Sequence, residues 1–168
     1  MISIRKLLPP DAPDYRVVRL DCLQQFPHYF GADYETERWK PKLAYEAYIE
    51  AQPEGQFVFG AFDEEQLVGI CGFYREENVR SRHRGRIIQM YVQPSHHGKN
   101  IALPLLQATI TEAKRLPGLE QIELGVVTTN VAANRLYQKA GFVEYGICPR
   151  YMKLGDQYTD ERLMVLKS

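Results

Sequence analysis

The residues from Gln89 to Leu103 join an apolar run, a proline, a polar loop with a glycine, and the start of an apolar pattern at helical spacing. The run ends at Val92, and Pro94 stops it, because proline has no N–H to give a sheet ladder. Ser95, His96, His97, Gly98, Lys99 and Asn100 form the loop, and the helical pattern begins near Ile101. A strand, a tight loop and a helix start leave several backbone N–H groups unpaired and pointing outward. The first turn of a helix has four such donors, and its dipole adds partial positive charge. The chemistry this arrangement favours is anion binding, phosphate above all. Lys99 either adds a charge-assisted contact there or remains a solvated loop cation. Cys71 lies inside an apolar strand pattern with no histidine near it in sequence, which reads as a buried thiol and not a nucleophile.

Positioning that loop requires a sheet and helices, and the chain supplies both patterns. Ile2 and Ile4 alternate in a short strand from Met1 to Lys6. Pro9-Pro10-Asp11-Ala12 is a helix-start signal with Asp11 as N-cap, and Val17, Val18, Leu20 and Leu23 give a helical face ending before Pro27. Phe26 to Trp39 is aromatic and irregular. Leu43, Ala47 and Ile49 suggest a further helix, ended by Pro53 and Gly55. Gln56 to Phe62 and Leu67 to Tyr74 follow period two about the turn Asp63 to Gln66, which is a hairpin. Glu76 to Gly85 reads as an exposed charged loop. Arg86 to Gln93 is apolar on both faces, as a central strand is.

Ile101 to Leu116 has helical spacing, and Pro104, tolerable only near a helix start, sets that start close to Gly98–Asn100. Ile122, Leu124 and Val126 make the next strand; strand, helix, strand implies a right-handed parallel crossover. Asn130 caps a helix whose face carries Ala133, Leu136, Tyr137 and Ala140, and Gly141 ends it. Phe142 to Lys153 and Tyr158 to Leu166 close as a hairpin about Gly155-Asp156.

The 168 residues suffice for one domain with a real core, with no internal repeat or linker. Lys+Arg and Asp+Glu balance at 21 each, so no bulk field draws nucleic acid or an anionic membrane, and any phosphate binding must be local. No apolar run approaches the roughly 20 residues of a membrane helix. The N-terminus lacks a signal-peptide layout, so the expected location is the cytoplasm. Cys22, Cys71 and Cys148 are widely spaced and read as reduced structural thiols, with no metal site expected.

Two segments carry a resemblance. Val92 to Ala102, followed by Leu105-Leu106, resembles the acyl-CoA-binding segment of the GCN5-related N-acetyltransferase (GNAT) family, whose pattern is Arg or Gln, two residues, Gly, one residue, Gly or Ala. Asn130, Ala133, Leu136-Tyr137, Lys139 and Gly141-Phe142 match the later family segment N-x-x-A-x-x-L-Y-x-K-x-G-F at each position. The segments lie about 30 residues apart with a strand between them, and the element order of the whole chain also fits. His97 stands where Arg or Gln is usual, and Asn100 where Gly is usual; Asn tolerates the left-handed backbone better than most residues.

The resemblance implies a single GNAT domain over 1–168: an α/β fold with a mixed, mostly antiparallel twisted sheet of about seven strands and flanking helices, splayed between its two central parallel strands. It implies acetyl transfer from acetyl-CoA to an amine by direct attack in a ternary complex. A non-catalytic acyl-CoA-binding or regulatory domain, or another acyl donor, are the alternatives. The implied CoA contacts are Met90, Tyr91 and Val92 along the strand, His97, Gly98, Lys99, Asn100, Ile101 and Ala102 at the pyrophosphate, and Asn130 and Tyr137. Val92 N–H would hold the thioester oxyanion, and Tyr137 would protonate the leaving sulfur. Tyr137 as a core residue and Asn130 as a plain cap are the structural alternatives. No base stands out among Glu76, Glu77, His83, Glu35 and Glu37. For the acceptor, a small-molecule amine, peptide N-terminus or lysine, the segment with Phe30, Tyr34 and Glu35 offers cation–π and charge contacts, or else serves as a hydrophobic flap. A homodimer through the terminal hairpin is a further expectation.

Overall fold

In the computed structural model, which describes residues 1–167, the chain runs β1 (Ile2–Lys6), a 3-10 turn (Pro9–Asp11), α1 (Ala12–Gln25), α2 (Tyr34–Glu37), α3 (Ala44–Ala51), β2 (Gln56–Asp63), β3 (Gln66–Arg75) and β4 (Arg84–Val92). A second 3-10 turn (Pro94–His96), α4 (Ala102–Ala113), β5 (Gln121–Val127), α5 (Val131–Lys139), β6 (Val143–Leu154) and β7 (Gln157–Lys167) complete it. The strands form one seven-stranded sheet in the order β1-β2-β3-β4-β5-β7-β6. Only β4 and β5 pair in parallel, as the intervening helix requires; the other neighbours are antiparallel.

Period-two side chains give the sheet two apolar faces. On one, Ile122, Leu124 and Val126 of β5 pack with Ile101 just before α4, with Leu105, Leu106 and Ile110 of α4, and with Tyr137 of α5. On the other, Tyr15, Val18 and Cys22 of α1 and Ile49 of α3 pack on Val58, Ile70 and Tyr91.

Two features open the middle of the sheet. The β4–β5 ladder consists of Arg84↔Gln121, Gly85↔Ile122 and Arg86↔Glu123, after which the strands part. At that junction Arg84 Nε meets Glu123 Oε2 at 2.5 Å and Gln121 Nε2 donates to the same oxygen at 3.0 Å. Burial alone would raise the Glu123 pKa, but these donors win and hold it below the ordinary carboxylate value. The second feature is a bulge in β4, where the register with β3 shifts and Gln89 takes φ +55°. The hydroxyl of buried Tyr15 donates to Gln89 Oε1 at 2.5 Å, and Tyr91 donates to Asp21 Oδ2 at 2.9 Å, tying α1 to β4 on both sides of the bulge.

The expected sheet, splay and terminal hairpin are all present. The differences are local. Asp11 makes no cap bond to α1; its carboxylate accepts from Leu8 N–H at 2.8 Å and pairs with Arg5, so it caps the 3-10 turn instead. The fourth helix starts at Ala102, later than Gly98–Asn100, because Gly98 and Asn100 take φ of +79° and +56° and cannot be helical. The aromatic segment hides the short α2, capped by Asp33 on Thr36 N–H. Among the described residues, no helix is long and apolar enough to cross a membrane, and the three cysteines are unpaired.

Candidate active site

The loop after β4 is braced at four points. Gln93 N–H donates to Val68 O at 2.9 Å. The His96 ring bonds Asp63 Oδ2 at 2.8 Å through Nε2 and Ser95 Oγ at 2.9 Å through Nδ1. The His97 ring Nε2 donates to Val92 O at 2.7 Å, and Ile101 is buried in the core. So held, the N–H groups of Gly98, Lys99, Asn100, Ile101, Ala102 and Leu103 have no partner among the described residues. They lie at the positive end of α4, an arrangement that suits an anion. His97 departs from expectation, since its own N–H is taken by Pro94 O at 3.1 Å. Asn100, at φ +56°, holds the left-handed conformation that glycine would hold. Lys99 is exposed at the loop tip.

Beside this loop a cavity of about 290 Å³ runs through the splay. Ile87, Ile88, Gln89 and Met90 line one wall, Gly125, Val126 and Val127 the other, and Asn130, Ala133 and Tyr137 close it on the α4–α5 face. An antiparallel ladder alternates its donors. Because Gln93 N–H bonds β3, the N–H and C=O of Val92 point the other way, toward the gap that β5 has left. Tyr91 does not reach the cavity with its side chain, which points to α1.

Tyr137 is buried, and burial pushes its phenol well above the ordinary value, with Cys71 adding to the rise. Its hydroxyl makes no hydrogen bond among the described residues, yet is not a sealed unsatisfied group, so it opens on the cavity. A protonated, unpartnered hydroxyl in a cleft can give up a proton. Asn130 caps α5, its side chain accepting from Ala133 N–H at 3.2 Å. Asn134 braces the same turn, donating to Val127 O at 3.2 Å and Asn130 O at 2.7 Å. Cys71 is fully buried with its thiol pushed up to about 12 by desolvation, a structural group.

The other face of the splay carries groups that sequence reasoning did not single out. Arg19 and Arg86 line the cavity together with Tyr29, Tyr151 and Glu161. Of the expected acceptor residues, Phe30 reaches this cavity. Tyr34 and Glu35 face an adjoining groove of about 740 Å³, which Phe30 also lines. Glu35 there pairs with Arg38 at 3.3 Å, and Arg38 lies over the Tyr34 ring at 5.3 Å, so both already have a cation. One signal for Glu161 was in the sequence: Gly125 interrupts an apolar strand, which marks a close approach.

The model of the Acetyltransferase (GNAT) family matches residues 18–142. This chain belongs to the GNAT acetyltransferase family. It is 24% identical over 148 residues to the Bacillus subtilis protein described as "Probable N-acetyltransferase YjcK", covering 87% of this chain and 81% of that one. It is 28% identical over 110 residues to the N-alpha-acetyltransferase 30 of Schizosaccharomyces pombe, covering 66% and 71% of the two. The fold matches a GNAT-family acetyltransferase of Streptococcus pneumoniae with TM-score 0.85 and 24% identity over the whole of both chains. It also matches yncA of Salmonella typhimurium, solved with its cofactor acetyl-CoA, with TM-score 0.82 and 21% identity over 99% and 94% of the chains. This GNAT protein is therefore an acyltransferase of the N-acetyltransferase kind, with acetyl-CoA as the family's cosubstrate. The donor set fits that molecule: the unpaired N–H run suits a pyrophosphate, and the opened strand edge suits an amide-bearing arm. Among the described residues, no three His, Cys, Asp or Glu side chains group to hold a metal.

Proposed function

We propose that this GNAT protein, as one domain over residues 1–168, moves the acetyl group of acetyl-CoA directly to an acceptor amine in a ternary complex. The observation that carries the reading is the run of unpartnered N–H groups from Gly98 to Leu103 beside a cavity that reaches Tyr137. In it, the N–H groups of Gly98, Lys99, Asn100, Ile101 and Ala102 hold the pyrophosphate. The backbone of Met90, Tyr91 and Val92 offers the pantetheine arm a strand edge. Val92 N–H stabilises the developing oxyanion, and Tyr137 gives its proton to the departing sulfur. His97 braces the end of β4 from Val92 O, and Asn130 contributes by capping α5, which carries Tyr137.

The three free cysteines suit a reducing compartment such as the cytoplasm. A homodimer through β6, the edge strand, is favoured by exposed Val143, Tyr145 and Ile147; sedimentation of a single monomeric species at tens of micromolar protein removes it. The transferase reading is tested by calorimetric titration with acetyl-CoA, followed by thiol release on addition of amines. Saturable binding with amine-dependent release is expected. Absence of binding at millimolar acetyl-CoA overturns it.

A further inference from the structure

Three charged groups in the cavity have no countercharge bonded to them. Glu161 on β7 is 8% exposed and Arg19 on α1 is 9% exposed, so each is more than nine-tenths buried. Glu161 makes no hydrogen bond and no ion pair among the described residues, and it lines the cavity. Its place is built. Glu161 lies opposite Val127 in the β5–β7 ladder, on the same face as Gly125, and a Cβ on Gly125 would come within 1.4 Å of Glu161 Oε1. Glycine at 125 is what lets the carboxylate lie down over β5 beside the opening. Among the described residues, the Arg19 guanidinium bonds Cys22 Sγ at 4.0 Å and lies over the Phe30 ring at 5.5 Å, with no carboxylate paired to it. Arg86, on β4, makes no hydrogen bond or ion pair among the described residues; it is close enough for Glu161 to feel its charge. Uncompensated buried charges are costly, and a fold retains them where a ligand completes them.

We propose that the acceptor is a small zwitterion, an amine whose own molecule carries a carboxylate or similar oxyanion, with Glu161 receiving the amine and Arg19 and Arg86 receiving the anion. This deepens the transferase reading and rests on it. Glu161 takes one proton from the ammonium, leaving a neutral amine. The amine nitrogen forms the C–N bond to the acetyl carbon and loses its second proton to solvent. The C–S bond breaks, and the sulfur takes a proton from Tyr137, which solvent replaces. The titratable and charged groups that line the cavity with Glu161 are Arg86 from β4, Arg19 from α1, Tyr29 from the segment after α1, Tyr137 from α5 and Tyr151 from β6. Burial raises the Glu161 pKa and Arg86 opposes that rise; a raised carboxyl is the stronger proton acceptor.

The test uses the full chain, acetyl-CoA, and matched acceptors: the free amino acids, their primary amides, and 1,4-diaminobutane as an amine without an anion. Thiol release is followed with a chromogenic disulfide. At least one free amino acid should be acetylated, with its amide about 10- to 100-fold poorer in kcat/KM, the range of a hydrogen bond to a charged group. Arg86→Gln should erase most of that preference. Glu161→Gln should lower kcat and remove the acid limb of the kcat/KM profile, with calorimetric acetyl-CoA binding unchanged. Amides or the diamine used as well as the acids, a preference untouched by Arg86→Gln, or no amino acid acetylated while acetyl-CoA still binds, would each overturn the zwitterion. Loss of acetyl-CoA binding in the parent protein would instead bring down the transferase reading beneath it.

Discussion

The two faces of the splayed sheet are built from different materials. On the α4–α5 face the working groups are backbone: the N–H run from Gly98 to Leu103 and the turned-out N–H of Val92, with one side chain, Tyr137. Every brace there is satisfied, from the His96–Asp63 and His97–Val92 bonds to the caps by Asn130 and Asn134. On the α1–β7 face the groups are side chains, and Glu161, Arg19 and Arg86 lack bonded countercharges. The first face presents open backbone donors on a fully braced frame; the second presents charged side chains with no bonded countercharge among the described residues. Backbone donors can recognise any molecule with the common pyrophosphate, whereas unpaired side chains select one acceptor among many. On the proposed reading, one cleft has a generic donor side and a particular acceptor side.

That contrast can be broken in three places. Tyr137→Phe removes the hydroxyl proposed to protonate the departing sulfur and should give the largest loss, about 10²- to 10⁴-fold in kcat. Acetyl-CoA affinity by calorimetry should stay the same. Because burial raises this phenol, the parent enzyme should also keep its activity as pH approaches 10, where an ordinary tyrosine begins to ionise. Gly125→Ala strikes only the acceptor side. The new Cβ displaces the end of a flexible Glu161 side chain and no backbone, so the protein should fold, bind acetyl-CoA normally and lose about 10- to 100-fold in kcat/KM for the amine. Asn100→Val strikes only the donor side. A β-branched residue at φ +56° costs about 1–2 kcal/mol, so acetyl-CoA binding should weaken about tenfold with the amine KM unmoved. If Gly125→Ala weakened acetyl-CoA binding as much as Asn100→Val does, the division of labour between the faces would be wrong.

The same division explains what could be read before the structure. The donor face is local in sequence: Val92 to Ala102 and Asn130 to Phe142 each hold a turn, a cap and a helix start whose chemistry is set by near neighbours. The sheet and its central parallel pair follow from strand, helix, strand periodicity. The acceptor face is assembled by pairings that no local pattern encodes. Glu161 meets Gly125 only because β7 inserts between β5 and β6. Arg19 arrives from a helix more than a hundred residues away in sequence from Glu161. In the aromatic segment the pairing is local. Its carboxylates, Glu35 and Glu37, found Arg38 and Lys40 within their own turn, so its evident charges were already paired.

The smallest expected effect is on stability, and it sharpens the comparison most directly. If the acceptor face is strained by an unpaired carboxylate, neutralising that carboxylate should stabilise the protein. Burial raises the folded-state pKa of Glu161 above its unfolded value of about 4.5. The folded chain therefore holds this proton more tightly, and the charged form costs stability. That cost is absent below the unfolded pKa, develops as pH rises through the folded pKa, and is constant above it. Glu161→Gln should accordingly raise Tm at pH 7, by roughly 2–4 °C for each kcal/mol recovered in a chain of this size. The gain should vanish in scans near pH 4. On the donor face, Tyr137→Phe offers the control, since an uncharged hydroxyl cannot give a pH-dependent difference in that range. A Glu161→Gln protein less stable than the parent at neutral pH would mean that the carboxylate is a structural partner in the fold, and the face opposite Tyr137 would no longer be incomplete.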